Sequence, residues 1–356
     1  MTEDIDHYKF DFATATEDLR AQFDPAKARN VIFVNIAAFP PDTPGGAPNI
    51  GMTPIGDAQF LQEYQDRAFN LTMSRSGGQS GTGRLMNKDK TQLGNVVSIV
   101  ADDGYVHTFG EKYEDLMRLW ILYHEAGHAL VKNADISAGP DDTYGENAGD
   151  AMASLLFLRR FGPDAKAFLS MISWSRAFQA INAGDTKHLT TAVIDKILND
   201  SGDTDFSKLT FAQTVQRAQE YAAQWTPNAA ALSTARDVFS SAIKDGGRLR
   251  DILNRILSRK SPPDLASFMA GKVSEAMVRK EGMEFFGTRA QLPDKERAAL
   301  ASDVSAGLAG MKVNHLFNSA AIHSAGTTPL LSLAPLGLSA GKPLVFGATK
   351  PPTGNS

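Results

Sequence analysis

The chain has 356 residues, of which 42% are hydrophobic and 21% are charged, a composition typical of a globular protein that buries a sizeable core. Its formal net charge of -4 argues against nucleic acid as a partner, and the absence of cysteine excludes disulfides and thiolate metal sites. The acidic first six residues argue against a secretory signal, and no apolar run reaches the ~18 residues needed to span a bilayer. We therefore expect a soluble, cytoplasmic protein, with non-classical export left open.

The N-terminal part of the chain is predicted to mix strands and helices. Apolar spacing predicts helices over residues 16–20 and 57–71, and β-rich apolar runs predict strands over residues 31–36, 95–100 and 105–109. The glycine-rich residues 77–84 continue into Arg84-Leu85, where a phosphate-binding loop requires Lys followed by Ser or Thr. We therefore interpret this stretch as a mobile surface loop.

An H-E-x-x-H motif at residues 124–128 lies inside a predicted helix over residues 111–132. Apolar residues precede it at helical spacing, without proline or glycine, which indicates a buried helix. His124 and His128 are four residues apart, so both imidazoles can face one point. Two neutral imidazoles suit Zn²⁺, and Glu125 beside them is placed to act on a metal-bound water.

A zinc site of this kind needs a third ligand, which catalytic sites commonly take from a carboxylate. Glu146 is our candidate, because it stands at the start of a second apolar helix, predicted over residues 152–161, with Asp150 four residues further on. Aspartates of the preceding polar loop, at positions 135, 141 and 142, are alternative ligands. Tyr144 could direct its hydroxyl at a developing oxyanion, although packing explains this residue equally well.

These residues together resemble the gluzincin group of zinc metallopeptidases, in which a glutamate ligand on the next helix follows H-E-x-x-H. The resemblance covers residues 111–162 and implies one Zn²⁺ per chain, bound by His124, His128 and Glu146, with Glu125 as general base. In this group an aspartate four residues after the glutamate often supports a zinc-bound histidine, which implies that role for Asp150.

Related patterns leave the subfamily and the third ligand open. The second motif is G-E-N-A-G-D rather than the best-known N-E-x-x-S-D form. The metzincin extension requires a Gly and a third His where this chain has Val131 and Ala134, so that pattern is excluded. The letters H-E-A-G-H-A are also similar to AAA-type membrane proteases, which take an aspartate ligand far downstream. Asp205 lies in that region, but the chain lacks a Walker A loop and membrane anchors.

The rest of the chain is predominantly helical and ends in a tail of different composition. Helices are predicted over residues 168–181, 189–198, 211–225, 229–243, 249–257, 265–286 and 294–311. Gluzincin-type enzymes commonly use a downstream His or Tyr to stabilise the tetrahedral intermediate, and His188 is the first candidate here. A solvated position at a helix start explains His188 equally. After Ser324 the chain is rich in Pro, Gly and Ser, which disfavours regular structure.

We therefore predict an α+β fold with a zincin-like lobe (1–140) that contains a small sheet and the motif helix. A mainly helical lobe (141–323) carries the third ligand, and a Pro/Gly-rich tail (324–356) follows. In zincin-like peptidases a strand shortly before the motif helix forms the edge of the cleft and pairs with the substrate. Residues 95–109 are expected either to form such an edge or to form a plain hairpin in the core sheet. The expected function is hydrolysis of a peptide or protein substrate, and the alternative is a catalytically silent zinc-binding protein that recognises a partner. The sequence does not indicate the oligomeric state or the cleavage specificity.

Overall fold

A computed structural model describes residues 3–23, 31–36, 50–53, 80–86, 92–100, 103–131, 143–259, 264–277 and 314–317, with a few isolated positions beyond residue 277. Within these ranges the fold is mostly helical with one small sheet, so the coarse α+β prediction is confirmed. No helix in the described part of the chain combines the length and the apolar character needed to cross a membrane.

The sheet contains four described strands in the order β2-β1-β4-β3. They are β1 (Val31–Ile36), β2 (Ile50–Thr53), β3 (Gly81–Met86) and β4 (Gln92–Val100). Strand β1 pairs in parallel with β4 and antiparallel with β2, whereas β3 pairs antiparallel with β4 and forms one edge. Alternate side chains of β1 and β4, such as Phe33, Val97 and Ile99, join the hydrophobic core, as expected for a sheet with one face covered by helices.

Two of the predicted strands are confirmed and a third is wrong. Residues 31–36 form β1, and residues 95–100 lie in β4. Residues 106–109 form a short 3-10 helix instead of a strand. The carboxylate of Asp103 accepts a hydrogen bond from the backbone N–H of Tyr105 (2.9 Å), which closes a turn, and one from the backbone N–H of Ser80 (2.7 Å), which ties that turn to the start of β3.

The glycine-rich stretch is also partly different from its prediction. Residues 81–84 belong to β3. Glycine disfavours a strand locally, but pairing with β4 supplies the backbone hydrogen bonds that hold this one in the sheet. Residues 77–79 and the predicted helix over residues 57–71 lie outside the described residues.

The helices reproduce most of the predicted ones. They are α1 (Phe12–Arg20), α2 (Glu114–Leu130), α3 (Thr143–Phe161), α4 (Ala165–Ala183), α5 (Thr191–Asp200), α6 (Phe211–Trp225), α7 (Ala229–Lys244), α8 (Leu249–Leu257) and α9 (Leu265–Ala276). Helix α2 is the motif helix. Helix α3 begins at Thr143, earlier than predicted, and therefore contains both Glu146 and Asp150. The predicted helix over residues 294–311 falls almost entirely outside the described residues.

Helices α2 and α3 approach each other closely through two glycines. A Cβ atom on Gly127 would lie 2.8 Å from the Cα of Gly149, and a Cβ atom on Gly149 would lie 2.9 Å from the ring of His124. Neither helix could carry a larger residue at these positions without a shift of backbone or ring. The two glycines therefore bring the motif helix into direct contact with the helix that carries Glu146.

The same two helices also pack against each other through aromatic side chains. Trp120 of α2 contacts Phe157 of α3 edge-on, with ring centroids 5.7 Å apart, and Phe157 stacks on Phe168 of α4 at 5.2 Å. These fully buried rings belong to one continuous hydrophobic cluster that joins the sheet to the helices. The division into lobes at residues 140 and 323 stays a prediction, and the tail of residues 324–356 lies outside the described residues.

Candidate metal centre

The two histidines of the motif meet inside the protein. Both are buried, and their Nε2 atoms are 3.2 Å apart, because a spacing of four residues places them on one face of α2. Glu146 from the first turn of α3 completes the group. Its Oε2 atom lies 3.3 Å from His124 Nε2 and 3.7 Å from His128 Nε2. These three ligand atoms lie within 4.8 Å of one another, so the group could hold a metal ion.

The electrostatics of Glu146 fit a bound cation. Its Oε2 atom is buried and has no hydrogen-bond partner within the described structure, although ring nitrogens of three histidines lie within 3.7 Å. A buried carboxylate oxygen without a partner is costly, and a divalent cation between it and the two motif imidazoles would remove that cost. Burial alone would raise the pKa of Glu146, but the three nearby histidines lower it well below its ordinary value.

Asp150 holds the outer nitrogen of His124. Its Oδ1 atom lies 2.6 Å from His124 Nδ1, so an Nδ1–H can donate to the carboxylate and leave the Nε2 lone pair directed at the metal group. Arg176 of α4 donates to the same carboxylate from Nε (2.9 Å) and Nη2 (3.0 Å), and the Thr190 hydroxyl donates to Oδ2. Burial alone would raise the pKa of Asp150, but Arg176 and His124 hold it below its ordinary value.

The same contacts act on His124. Burial alone would lower the pKa of this imidazole, but Asp150 and Glu146 together raise it to about 10. The ring is therefore held between two carboxylates, one at each nitrogen. This arrangement fixes its orientation whether its inner nitrogen carries a proton or a metal ion.

Glu125 is tied to the edge strand of the sheet. The Thr82 hydroxyl on β3 lies 2.7 Å from the backbone carbonyl of Glu125 and 2.9 Å from its Oε2 atom. Both residues are buried, and Glu125 lines the cavity that contains the metal group. Strand β3 therefore fixes both the backbone and the carboxylate of the residue between the two motif histidines.

The segment between α4 and α5 brings a lysine and a histidine to Glu146. Lys187 Nζ lies 2.6 Å from Glu146 Oε1, and His188 Nε2 lies 3.3 Å from Glu146 Oε2. The other ring nitrogen of His188 contacts Asp185 Oδ2 at 2.7 Å. Burial alone would lower the pKa of His188, but Asp185 and Glu146 raise it above its ordinary value.

A cavity of about 350 Å³ gives access to this group. One face of α2 lines it at intervals of three or four residues, from Met117 through Trp120 and Ile121 to the motif residues. The other walls come from Ser80 and Gly81 at the start of β3, from residues 103–109, from α4 and from the segment that carries Lys187 and His188. The cavity is therefore apolar along the first half of α2 and polar around the metal group.

The structure brings together six of the residues that the sequence singled out, namely His124, Glu125, His128, Glu146, Asp150 and His188. Tyr144 is half-buried against the hydrophobic cluster and is not among the cavity-lining residues that the structure describes. Asp205 is exposed and does not belong to the metal group. Its carboxylate accepts a hydrogen bond from the backbone N–H of Ser207, which caps a short helix, and it pairs with Lys208 (3.0 Å). The loop aspartates at positions 135, 141 and 142 lie outside the described residues.

Sequence reasoning missed five residues that support the group, namely Thr82, Gly149, Arg176, Lys187 and Thr190. Two of them left a usable signal. An arginine in the middle of an apolar helix implies a buried acidic partner, as found for Arg176 and Asp150. A glycine inside a helical pattern implies a close approach, as found for Gly149 and His124.

Comparisons with known proteins add no family to this picture. The chain matches no family model, no curated protein and no solved structure. The chemistry of the site must therefore be inferred from the buried His124, His128 and Glu146 group and the residues around it.

Proposed function

We propose that the protein is a zinc metallopeptidase that hydrolyses peptide bonds with Glu125 as general base. The observation that carries this proposal is the position of Glu125, which directly follows His124 in the chain and lines the same cavity as the buried His-His-Glu group. A structural metal site requires only ligands, whereas a carboxylate held beside a ligand group with cavity access suits proton transfer.

Zinc is the metal that the ligand set favours. Two imidazoles and one carboxylate are the ligands of one common class of catalytic zinc site, which keeps its fourth position for water or substrate. The small sheet with β3 at its edge, the motif helix and the following ligand helix support a zincin-like arrangement. Within it, His124, His128 and Glu146 would hold the ion, in agreement with the resemblance to gluzincins.

When bound, zinc would lower the pKa of a coordinated water and polarise the scissile carbonyl. Glu125 would accept a proton from the attacking water and later donate it to the leaving amine. Thr82 would hold Oε2 of Glu125, so that Oε1 of the same carboxylate handles the proton. Asp150 would keep the Nδ1–H of His124 and so direct Nε2 inward.

His188 is the residue that we propose for stabilising charge on the tetrahedral intermediate. It lines the cavity beside Glu146, and Asp185 orients its ring and favours the protonated, donating form. The substrate backbone would lie along β3, because β4, which contains the expected edge residues 95–100, is paired on both sides. Ser80 and Gly81 at this edge line the cavity, and strand addition would bind the backbone without demanding one side chain.

The alternative, a catalytically silent zinc-binding protein, is favoured by one observation. His188 Nε2 lies as close to Glu146 Oε2 as His124 Nε2 does, at 3.3 Å, so a ring movement could supply a fourth protein ligand. Closed sites with four protein ligands are structural.

The test is a peptide-mixture cleavage assay of the full chain and of Glu125→Gln, each with and without a chelator. We expect chelator-sensitive cleavage by the unchanged chain. Glu125→Gln should retain zinc and lose at least about a hundredfold in rate, the usual contribution of a positioned general base. Cleavage at the unchanged rate by zinc-loaded Glu125→Gln would refute the assignment, and zinc binding without any cleavage would favour the silent alternative.

A further inference from the structure

The two carboxylate oxygens of Glu146 face different partners. Oε2 is the oxygen that faces the Nε2 atoms of His124 and His128 and has no hydrogen-bond partner in the described structure. Oε1 lies 2.6 Å from the ammonium of Lys187. The carboxylate is therefore divided between a metal-facing oxygen and an oxygen bound to a cation.

The segment that carries Lys187 is itself held in place. It leaves α4 at Gly184, whose φ of 68° lies in the left-handed region that favours glycine. The buried hydroxyl of Thr186 accepts hydrogen bonds from Arg236 of α7 (3.2 and 3.1 Å), and the buried Thr190 donates to Asp150. Lys187 lies between these two anchors, so its backbone is fixed on both sides.

We propose that Lys187 is a positioning residue that restricts Glu146 to one-oxygen coordination of the metal ion. This inference rests on the metal centre of the proposed function but not on peptide hydrolysis. A charge-assisted hydrogen bond of this length is among the stronger ones, and the rotation of the carboxylate that would bring both oxygens to the ion strains it. The ammonium also neutralises the charge of Oε1, which reduces its attraction to a second cation.

The consequence is an open coordination position. Two imidazoles and one carboxylate oxygen supply three donors, and a tetrahedral site then has one place left for solvent. If Glu146 used both oxygens, the protein would supply four donor atoms and bound solvent would become a fifth, so the site would be five-coordinate and crowded. Lys187 would thus keep the site four-coordinate, with solvent in the fourth position, without contacting the ion.

The test is visible absorption of the cobalt(II)-substituted full chain, because four-coordinate cobalt absorbs severalfold more strongly than five-coordinate cobalt. Lys187→Met removes the ammonium at similar size, and Lys187→Arg keeps a cationic donor. Lys208→Met is the matched control, since Lys208 is exposed and pairs only with Asp205 among the described charges. Circular dichroism should show the same helix content in all variants, and Lys187→Ala replaces Lys187→Met if the latter does not fold.

We expect the unchanged chain, Lys187→Arg and Lys208→Met to share the strong four-coordinate spectrum. Lys187→Met should bind cobalt with a severalfold weaker spectrum. An unchanged spectrum in Lys187→Met, or complete loss of cobalt from it, would overturn the inference. A chain that binds no cobalt at all would refute the metal centre as well, whereas bound cobalt without peptide cleavage would refute the peptidase alone and leave the inference standing.

Discussion

Substitution of Gly149 tests whether the contact between α2 and α3 positions the metal ligands. In Gly149→Ala the new Cβ atom would lie 2.9 Å from both Cε1 and Nδ1 of the His124 ring and 3.1 Å from its carbonyl oxygen. Ordinary contacts begin near 3.4 Å, so the ring or the helix must move by roughly half an ångström. That movement strains the His124 contact with Asp150, which is only 2.6 Å long.

The expected magnitudes separate stability from metal binding. Alanine favours a helix over glycine by about 1 kcal/mol, whereas overpacking costs about 1–3 kcal/mol, so the metal-free protein should lose at most about 2 kcal/mol. Disturbance of the residues that orient a metal ligand typically costs about 10- to 100-fold in affinity. Zinc affinity should therefore fall by about this factor while the fold persists.

The assay is competition for zinc against a chelator of known affinity, alongside urea unfolding of the metal-free protein. Gly104→Ala is the control, because a Cβ atom at Gly104 meets no atom within 4 Å. This control should change neither quantity. If Gly149→Ala bound zinc as tightly as the unchanged chain, the claim that this glycine leaves room for the His124 ring would be refuted.

Two further substitutions test the support of the site. Asp150→Asn should destabilise the metal-free protein by about 3–5 kcal/mol in urea unfolding, because it leaves the buried Arg176 without its charge partner; equal stability would contradict this. Because the folded pKa of Asp150 lies below its unfolded value, this stabilisation should be fully present above about pH 4 and lost as the pH falls below it. Thr82→Val should keep zinc but lower kcat by about 10- to 100-fold, because a hydrogen bond to a charged group contributes about 1.5–3 kcal/mol. Thr82→Ser should restore the rate, and an unchanged kcat in Thr82→Val would remove this threonine from the mechanism.

The helices and the metal group were predictable because their signals are local in the sequence. Periodic apolar residues define α2, and a spacing of four residues places His124 and His128 on one face whatever the rest of the fold does. Glu146 followed from the helix that comes next in the chain. Helices α6 and α8 even have the predicted bounds, since capping and periodicity are properties of the segment itself.

The remaining parts of the site depend on contacts between residues far apart in the chain. Thr82 lies 43 positions before Glu125 in the chain, and its strand is glycine-rich, so neither the strand nor the hydrogen bond has a local signature. The strand predicted over residues 105–109 failed because the side chain of Asp103 outweighed β propensity. No local sequence pattern marks Lys187 as part of the site, because only the packing of α3, α4 and α5 brings it to Glu146.

Zinc content of single-ligand variants tests the central claim most directly. We predict one zinc ion per unchanged chain by atomic absorption, near-complete loss of zinc in His124→Ala and Glu146→Ala, and full occupancy in Asp205→Ala. Full zinc occupancy in Glu146→Ala together with loss in Asp205→Ala would contradict the account and assign the third ligand to the downstream aspartate.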